Sequence, residues 1–233
     1  MIEFYSFIGE FRHRKYFNNS DSSSNRNAVY CEGIPWETAD QLLKELLHSG
    51  LVEKEWYDFQ LKMKCEFLEY KSNFLRQNNF VRTVSVSPPF PFLDPEIRYY
   101  LRRIKDKSNV NLRNLLIFEG LGHPFIASIK YGSTFTRIQH LYQLFLYQHL
   151  NGTDLLNFSG TILEVGGGYG DMAHLIYKNN STKPTYIISD LPFMINVQYV
   201  YLCATLGNHV NLLQDVDGKY FPEWLTWFHL ITY

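Results

Sequence analysis

Apolar residues recur at helical spacing through the first half of the chain and gather into short continuous runs through the second. That pattern predicts helices followed by buried strands. Residues 36–48 place Ala39, Leu42, Leu43, Leu46 and Leu47 on one helical face, and Gly50 follows as the stop. Residues 52–77 read as one long helical stretch. In it Trp56, Phe59, Met63, Phe67, Tyr70 and Phe74 stand three or four apart, an aromatic stripe whose expected role is packing. Ser87-Pro88-Pro89-Phe90-Pro91-Phe92 breaks regular structure, and Asp94-Pro95 then predicts a helix start with proline in its first turn. That helix carries Arg98, Arg102, Arg103, Lys105 and Lys107, expected as a solvated cationic face. Residues 17–27 are polar and lack apolar anchors, so a flexible loop is expected there.

The second half begins with a glycine and proline turn at Gly120-Leu121-Gly122-His123-Pro124, then a hairpin turning at Tyr131-Gly132-Ser133 and a helix over 136–150. Thr161-Ile162-Leu163-Glu164-Val165 predicts a strand, and it enters Gly166-Gly167-Gly168-Tyr169-Gly170 ahead of a helical segment from Asp171. Glycines at 166, 168 and 170 allow a sharp turn and a close ligand approach, and the helix start offers unpaired N–H groups. Residues 185–189 predict a second buried parallel strand ending on Asp190, and a helix over 193–206 stops at Gly207. Further strands are expected over 209–213, followed by Gln214-Asp215, and over 225–233. From Gly160 onward there are only 74 residues, and the last of them lie inside an apolar run, so a C-terminally truncated or partial domain is expected.

A strand, a glycine turn and a helix imply an adenosine-containing cofactor. Gly-x-Gly-x-x-Gly would need a glycine at 171, where Asp171 stands, so the dinucleotide fingerprint fails, and no lysine followed by serine or threonine completes a P-loop. The acid-x-Gly-x-Gly-x-Gly form beginning at Glu164 is similar to the first motif of Rossmann-type S-adenosylmethionine-dependent methyltransferases. In that reading Glu164, Gly166, Gly167, Gly168 and Gly170 hold the methionine portion, with the ammonium near the Glu164 carboxylate. Asp190 lies 20 residues beyond Gly170, the interval suited to an acid that accepts ribose hydroxyls, and it can also cap the helix that follows. Asp215 can meet the adenine amine, although aspartate-rich loops also occur without ligands.

Composition narrows the class. The 233 residues are 45% hydrophobic, enough for a sizeable core, and the net charge of −1 gives no attraction to nucleic acid or an anionic membrane. Cys31, Cys65 and Cys203 are scattered, without zinc or redox spacing, and are expected as reduced thiols. No apolar run is long enough to span a bilayer, and the first residues lack a basic leader and a cleavage site, so a cytoplasmic location is expected.

The Gly-x-Pro turn, short β segment, aromatic-rich helix, Leu163-Glu164-Val165-Gly166-Gly167-Gly168-Tyr169-Gly170 and Ser189-Asp190-Leu191-Pro192 together resemble a bacterial family of sugar O-methyltransferases over about residues 118–233. His123 stands where that pattern carries asparagine, and residues 229–233 lack its polar groups. The resemblance implies a Rossmann-type, doubly wound, mostly parallel α/β sheet at 118–233, incomplete at its end. The mainly helical region 1–117 precedes it. The implied reaction is transfer of a methyl group from S-adenosylmethionine to a hydroxyl of a sugar or glycan. A lipid, small phenol or protein acceptor, and an inactive cofactor-binding module, remain open alternatives. His123, His140, His149 and His174 are the histidines near this core, and none is singled out as the base. No metal ligand set is expected, and the oligomeric state is undetermined.

Overall fold

The computed structural model describes residues 36–70, 73–77, 95–107, 112–118, 121–212 and 231–232. Asp215, the loop at 17–27, Cys31 and most of the strand expected at 225–233 lie outside the described residues. Two helices, α1 (Trp36–His48) and α2 (Lys54–Glu69), are joined through Gly50, whose φ of 72° suits a residue without a Cβ. α2 does not continue through residue 77 as the periodicity predicts. It ends at Glu69, and a separate 3-10 turn, Phe74–Arg76, follows. The aromatic stripe is divided accordingly: Met63, Phe67 and Phe74 are buried, whereas Trp56 and Tyr70 are exposed.

Helix α3 (Pro95–Lys107) begins on the proline that the sequence marks as its start, buries Ile97 and Ile104, and exposes Arg98, Arg102, Arg103 and Lys105. A short helix, α4 (Leu112–Leu116), precedes the antiparallel hairpin of β1 (Ile126–Ser128) and β2 (Ser133–Thr134). Helix α5 (Phe135–Asn151) is capped by the Thr134 side chain, which accepts from the Arg137 N–H at 3.0 Å, and closes on left-handed Gly152. β3 (Thr161–Val165), α6 (Asp171–Asn179), β4 (Thr185–Ser189) and α7 (Pro192–Leu206) then form a βαβα unit, with β3 and β4 parallel and paired Thr161↔Thr185 through Val165↔Ser189.

The core runs without interruption from α2 into this unit. Phe67 meets Phe74 edge-on at 4.9 Å, and Trp36 touches both Phe67 at 5.6 Å and Phe193 of α7 at 5.8 Å. The helical N-terminal region therefore packs on the helix that follows β4.

The architecture is mixed α/β, as the sequence predicts, with short strands among the described residues. Gly207 closes α7 with a φ of 71° and residues 207–209 form a 3-10 turn, so the next strand, β5 (Asn211–Leu212), begins at Asn211 and not at 209; residue 213 lies outside the described residues. It pairs antiparallel with β6 (Ile231–Thr232), which also lies beside β4. Among the described residues the only parallel pair is β3–β4. Leu163 and Val165 of β3 are 55% and 74% exposed. No helix among the described residues is long and apolar enough to cross a membrane.

Candidate functional site at the ends of the parallel strands

The glycine turn occupies the carboxyl end of β3. Gly166, Gly168 and Gly170 have φ of 76°, 58° and 95°, so the alternation of glycine in the sequence is an alternation of left-handed backbone. Gly167 serves differently. A Cβ there would stand 2.8 Å from Ile188 Cγ2 and 3.0 Å from Glu164 Oε2, so the turn can lie against β4 only without one. A Cβ built on Gly166 meets nothing within 4 Å, which leaves room for a ligand over the turn. Tyr169 anchors the loop from below: it is buried, edge-on to Tyr201 of α7 at 5.0 Å. Gly170 is the N-cap of α6 and contributes no side-chain bond to the first-turn N–H groups.

The predicted acids converge on this turn. The Gly166 N–H donates to the Ser189 carbonyl at 2.8 Å, which sets Asp190 across from the start of the turn. Asp190 Oδ1 accepts from the Leu191 N–H at 2.8 Å, and Oδ2 accepts from Gln198 Nε2 at 2.6 Å. Neither bond reaches into the first turn of α7 beyond its N-cap, Leu191, so Asp190 does not cap that helix in the usual manner. Burial raises its pKa to about 6, against the hydrogen bonds that favour the ionised form. Glu164 Oε2 accepts from the Tyr186 hydroxyl at 3.1 Å. Burial also raises the Glu164 pKa, the charges of Asp190 and Asp171 add to the rise, and His140 and Tyr186 offset part of it. The site is thus short of positive charge.

Sequence reasoning missed two features. Gln198 is fully buried on α7 and donates both to Asp190 and to the Gly168 carbonyl at 2.8 Å, tying the turn to the second acid. Its signal was a pair of amides, Asn196 and Gln198, in a helix of mostly apolar and aromatic residues. The second feature is a buried ionic cluster behind the turn. Arg137 Nη2 of α5 lies 2.7 Å from Asp171 Oδ1 and donates to His174 Nδ1 at 2.6 Å, while His140 Nδ1 is 2.9 Å from Asp171 Oδ2. Its signal was Arg137 at helical spacing from Leu141 and Leu144, on the buried face of α5.

Burial alone would raise the Asp171 pKa, but Arg137, with help from His140, outweighs it and holds the carboxyl at about 2. Burial and the neighbouring Arg137 charge push His174 down to about 3. Both groups titrate lower in the folded chain than in the unfolded one, so the stability they confer is complete above about pH 6.5 and decreases on acidification. The unfolded chain takes up a proton on His174 first, and one on Asp171 below about pH 4. We expect His174 to contribute a decrease in unfolding free energy of about 1.4 kcal/mol per pH unit from pH 6 to pH 4.5, while Asp190 and Glu164, whose pKa values are raised, act in the opposite direction over the same range. The contribution is therefore read as the difference between the urea-unfolding profiles of the wild type and His174→Asn, and parallel profiles would show that His174 is not held neutral.

The histidines separate by setting. His123 is exposed with a φ of 43°, a left-handed position that histidine and asparagine both tolerate, and its carbonyl accepts from Arg76 Nε at 2.6 Å. His149 is exposed in the last turn of α5, and His174 is buried against Arg137. His140 alone among these four joins a buried carboxylate while its side chain keeps 21% exposure.

Compared with protein-family models, curated proteins and solved structures, the chain has no match.

Proposed function

We propose that the chain is an S-adenosylmethionine-dependent O-methyltransferase built on a Rossmann-type domain, with a sugar or glycan hydroxyl as acceptor. The observation that carries this reading is the pair of acids, Glu164 and Asp190, at the ends of adjacent parallel strands, flanking a turn whose alternate glycines are left-handed. Buried carboxylates with raised pKa values are relieved by a cation, which suits the ammonium of the methionine portion. Room above Gly166 and the N–H groups of α6 without a side-chain cap suit its carboxylate. Asp190, fixed by Gln198, would accept the ribose hydroxyls. The cofactor supplies an already activated methyl group, so the protein's share is alignment and proton removal. The sugar acceptor rests on the sequence resemblance.

Calorimetry with S-adenosylhomocysteine tests the cofactor. Saturable binding is expected at pH 7.5, weakened at least about tenfold by Asp190→Ala through loss of a charged hydrogen-bond acceptor. It should also weaken as Asp190 takes up a proton below about pH 6. Saturation by NADH with none by S-adenosylhomocysteine would overturn the reading in favour of a dinucleotide.

A further inference from the structure

A hydroxyl group is a poor nucleophile at neutral pH, and an activated methyl donor does not change that. The reaction therefore needs a group that takes the hydroxyl proton as the new bond forms. Histidine commonly fills that role when one ring nitrogen is held by a carboxylate and the other faces the reactant. His140 has the first half of that arrangement. Its Nδ1 is 2.9 Å from Asp171 Oδ2, and Asp171 is completely buried and held in turn by Arg137 at 2.7 Å. The ring's bonded edge thus faces the cluster, while the side chain remains 21% exposed. Nε2 has no hydrogen-bond partner among the described residues.

Place supports the same role. Asp171 directly follows Gly170, so the histidine it holds stands beside the glycine turn and not on a remote surface. The ring lies near Glu164, where in its protonated form it would favour the ionised carboxyl. The charged groups around it are Asp171 and Glu164, with Arg137 paired to Asp171 and the neutral His174 ring accepting from Arg137. A purely structural histidine needs no exposed edge, and His174, which serves the cluster from inside, has none to spare.

We infer that His140, oriented by Asp171 and Arg137, is the general base that accepts the proton of the acceptor hydroxyl. The inference rests on the methyltransferase reading above. In the step, the acceptor oxygen forms a bond to the methyl carbon as the carbon–sulfur bond breaks. That bond's electron pair stays on sulfur, neutralising the sulfonium, and the hydroxyl proton passes to His140 Nε2. Charge and atoms balance without an added co-reactant.

The two cofactor forms provide a test that needs no acceptor. S-adenosylmethionine carries a sulfonium charge at the methyl position and S-adenosylhomocysteine does not, while both share the same amino acid and nucleoside. The titration of His140 is followed by NMR in the full chain labelled with 13C-histidine, its signal assigned by its loss in His140→Asn. The asparagine amide can still donate to Asp171, so the variant should unfold in urea at nearly the wild-type concentration. A base within reach of the methyl group feels the sulfonium. Its midpoint is expected to lie at least about half a pH unit lower with S-adenosylmethionine than with S-adenosylhomocysteine. Binding of both with equal His140 midpoints overturns the assignment and leaves the cofactor reading standing. An equal upward shift with both places His140 on the cofactor carboxylate and also overturns it. Failure of either ligand to bind overturns both readings together.

Discussion

Asp171→Ala is expected to destabilise the chain by about 3–5 kcal/mol, the cost of leaving a buried charge without its partner. Arg137 is 1% exposed and Asp171 is 0% exposed, so the guanidinium would be left without its counterion away from bulk solvent. The guanidinium would retain the His174 ring, a neutral acceptor whose pKa is already held near 3, and Nε has no partner among the described residues even in the intact cluster. Arg137 cannot escape by losing its proton, because guanidinium groups stay charged in proteins. The loss corresponds to roughly 6–20 °C in Tm for a chain of this size. Since whole domains are stable by only about 5–15 kcal/mol, much of the population could unfold. Replacing both partners separates a charge penalty from a packing penalty. Arg137→Met combined with Asp171→Leu removes the charges together and is expected to recover most of the loss. Equal destabilisation by the single and double substitutions would show that the cluster matters through shape and not through charge. Thermal melts of the three proteins decide between them.

The parts of the fold legible in the sequence are those encoded within a few residues. Left-handed backbone at Gly166, Gly168 and Gly170 could be read from residue identity because only glycine adopts it without strain. Proline at the start of α3 and Gly207 at the end of α7 act through the same local geometry. Asp190 could be placed by its interval from the turn, because one helix and one strand fix the length of a βαβ connection. The helix expected over 52–77 failed because its aromatic periodicity continues through Phe74 although the backbone helix stops at Glu69, and periodicity records burial rather than continuity. Strand direction leaves no local signal of this kind. An apolar run at 231–232 has the same alternation whether its neighbour is parallel or antiparallel, so the antiparallel β5–β6 pair left no local mark. The ionic cluster joins α5 to α6 across more than thirty positions, and only Arg137 on an apolar helix face hinted at it. The same limit left His140 indistinguishable from three other histidines until its partner's burial was known.

Glu164→Gln is expected to move stability and ligand affinity in opposite directions. Burial raises the pKa of Glu164 in the folded chain, so its stabilising contribution is complete only below the unfolded pKa and is lost as pH rises through the folded value. At pH 7.5 the ionised group is therefore a burden on the free protein, increased by the nearby charges of Asp190 and Asp171. Glutamine removes the charge, and its amide oxygen can keep the bond from the Tyr186 hydroxyl. The free variant should thus unfold at a higher urea concentration than the wild type. Affinity should respond the other way. If Glu164 meets the ammonium of S-adenosylhomocysteine, exchanging a charged for a neutral acceptor costs roughly 1.5–3 kcal/mol, or about 10- to 150-fold in Kd. An analogue of S-adenosylhomocysteine lacking the amine isolates the contact, because it should bind wild type and variant alike. A variant that is more stable and also binds S-adenosylhomocysteine as tightly as the wild type would remove Glu164 from the site. Opposite movement of the two quantities would identify the buried charge as one kept for its ligand at the expense of the fold.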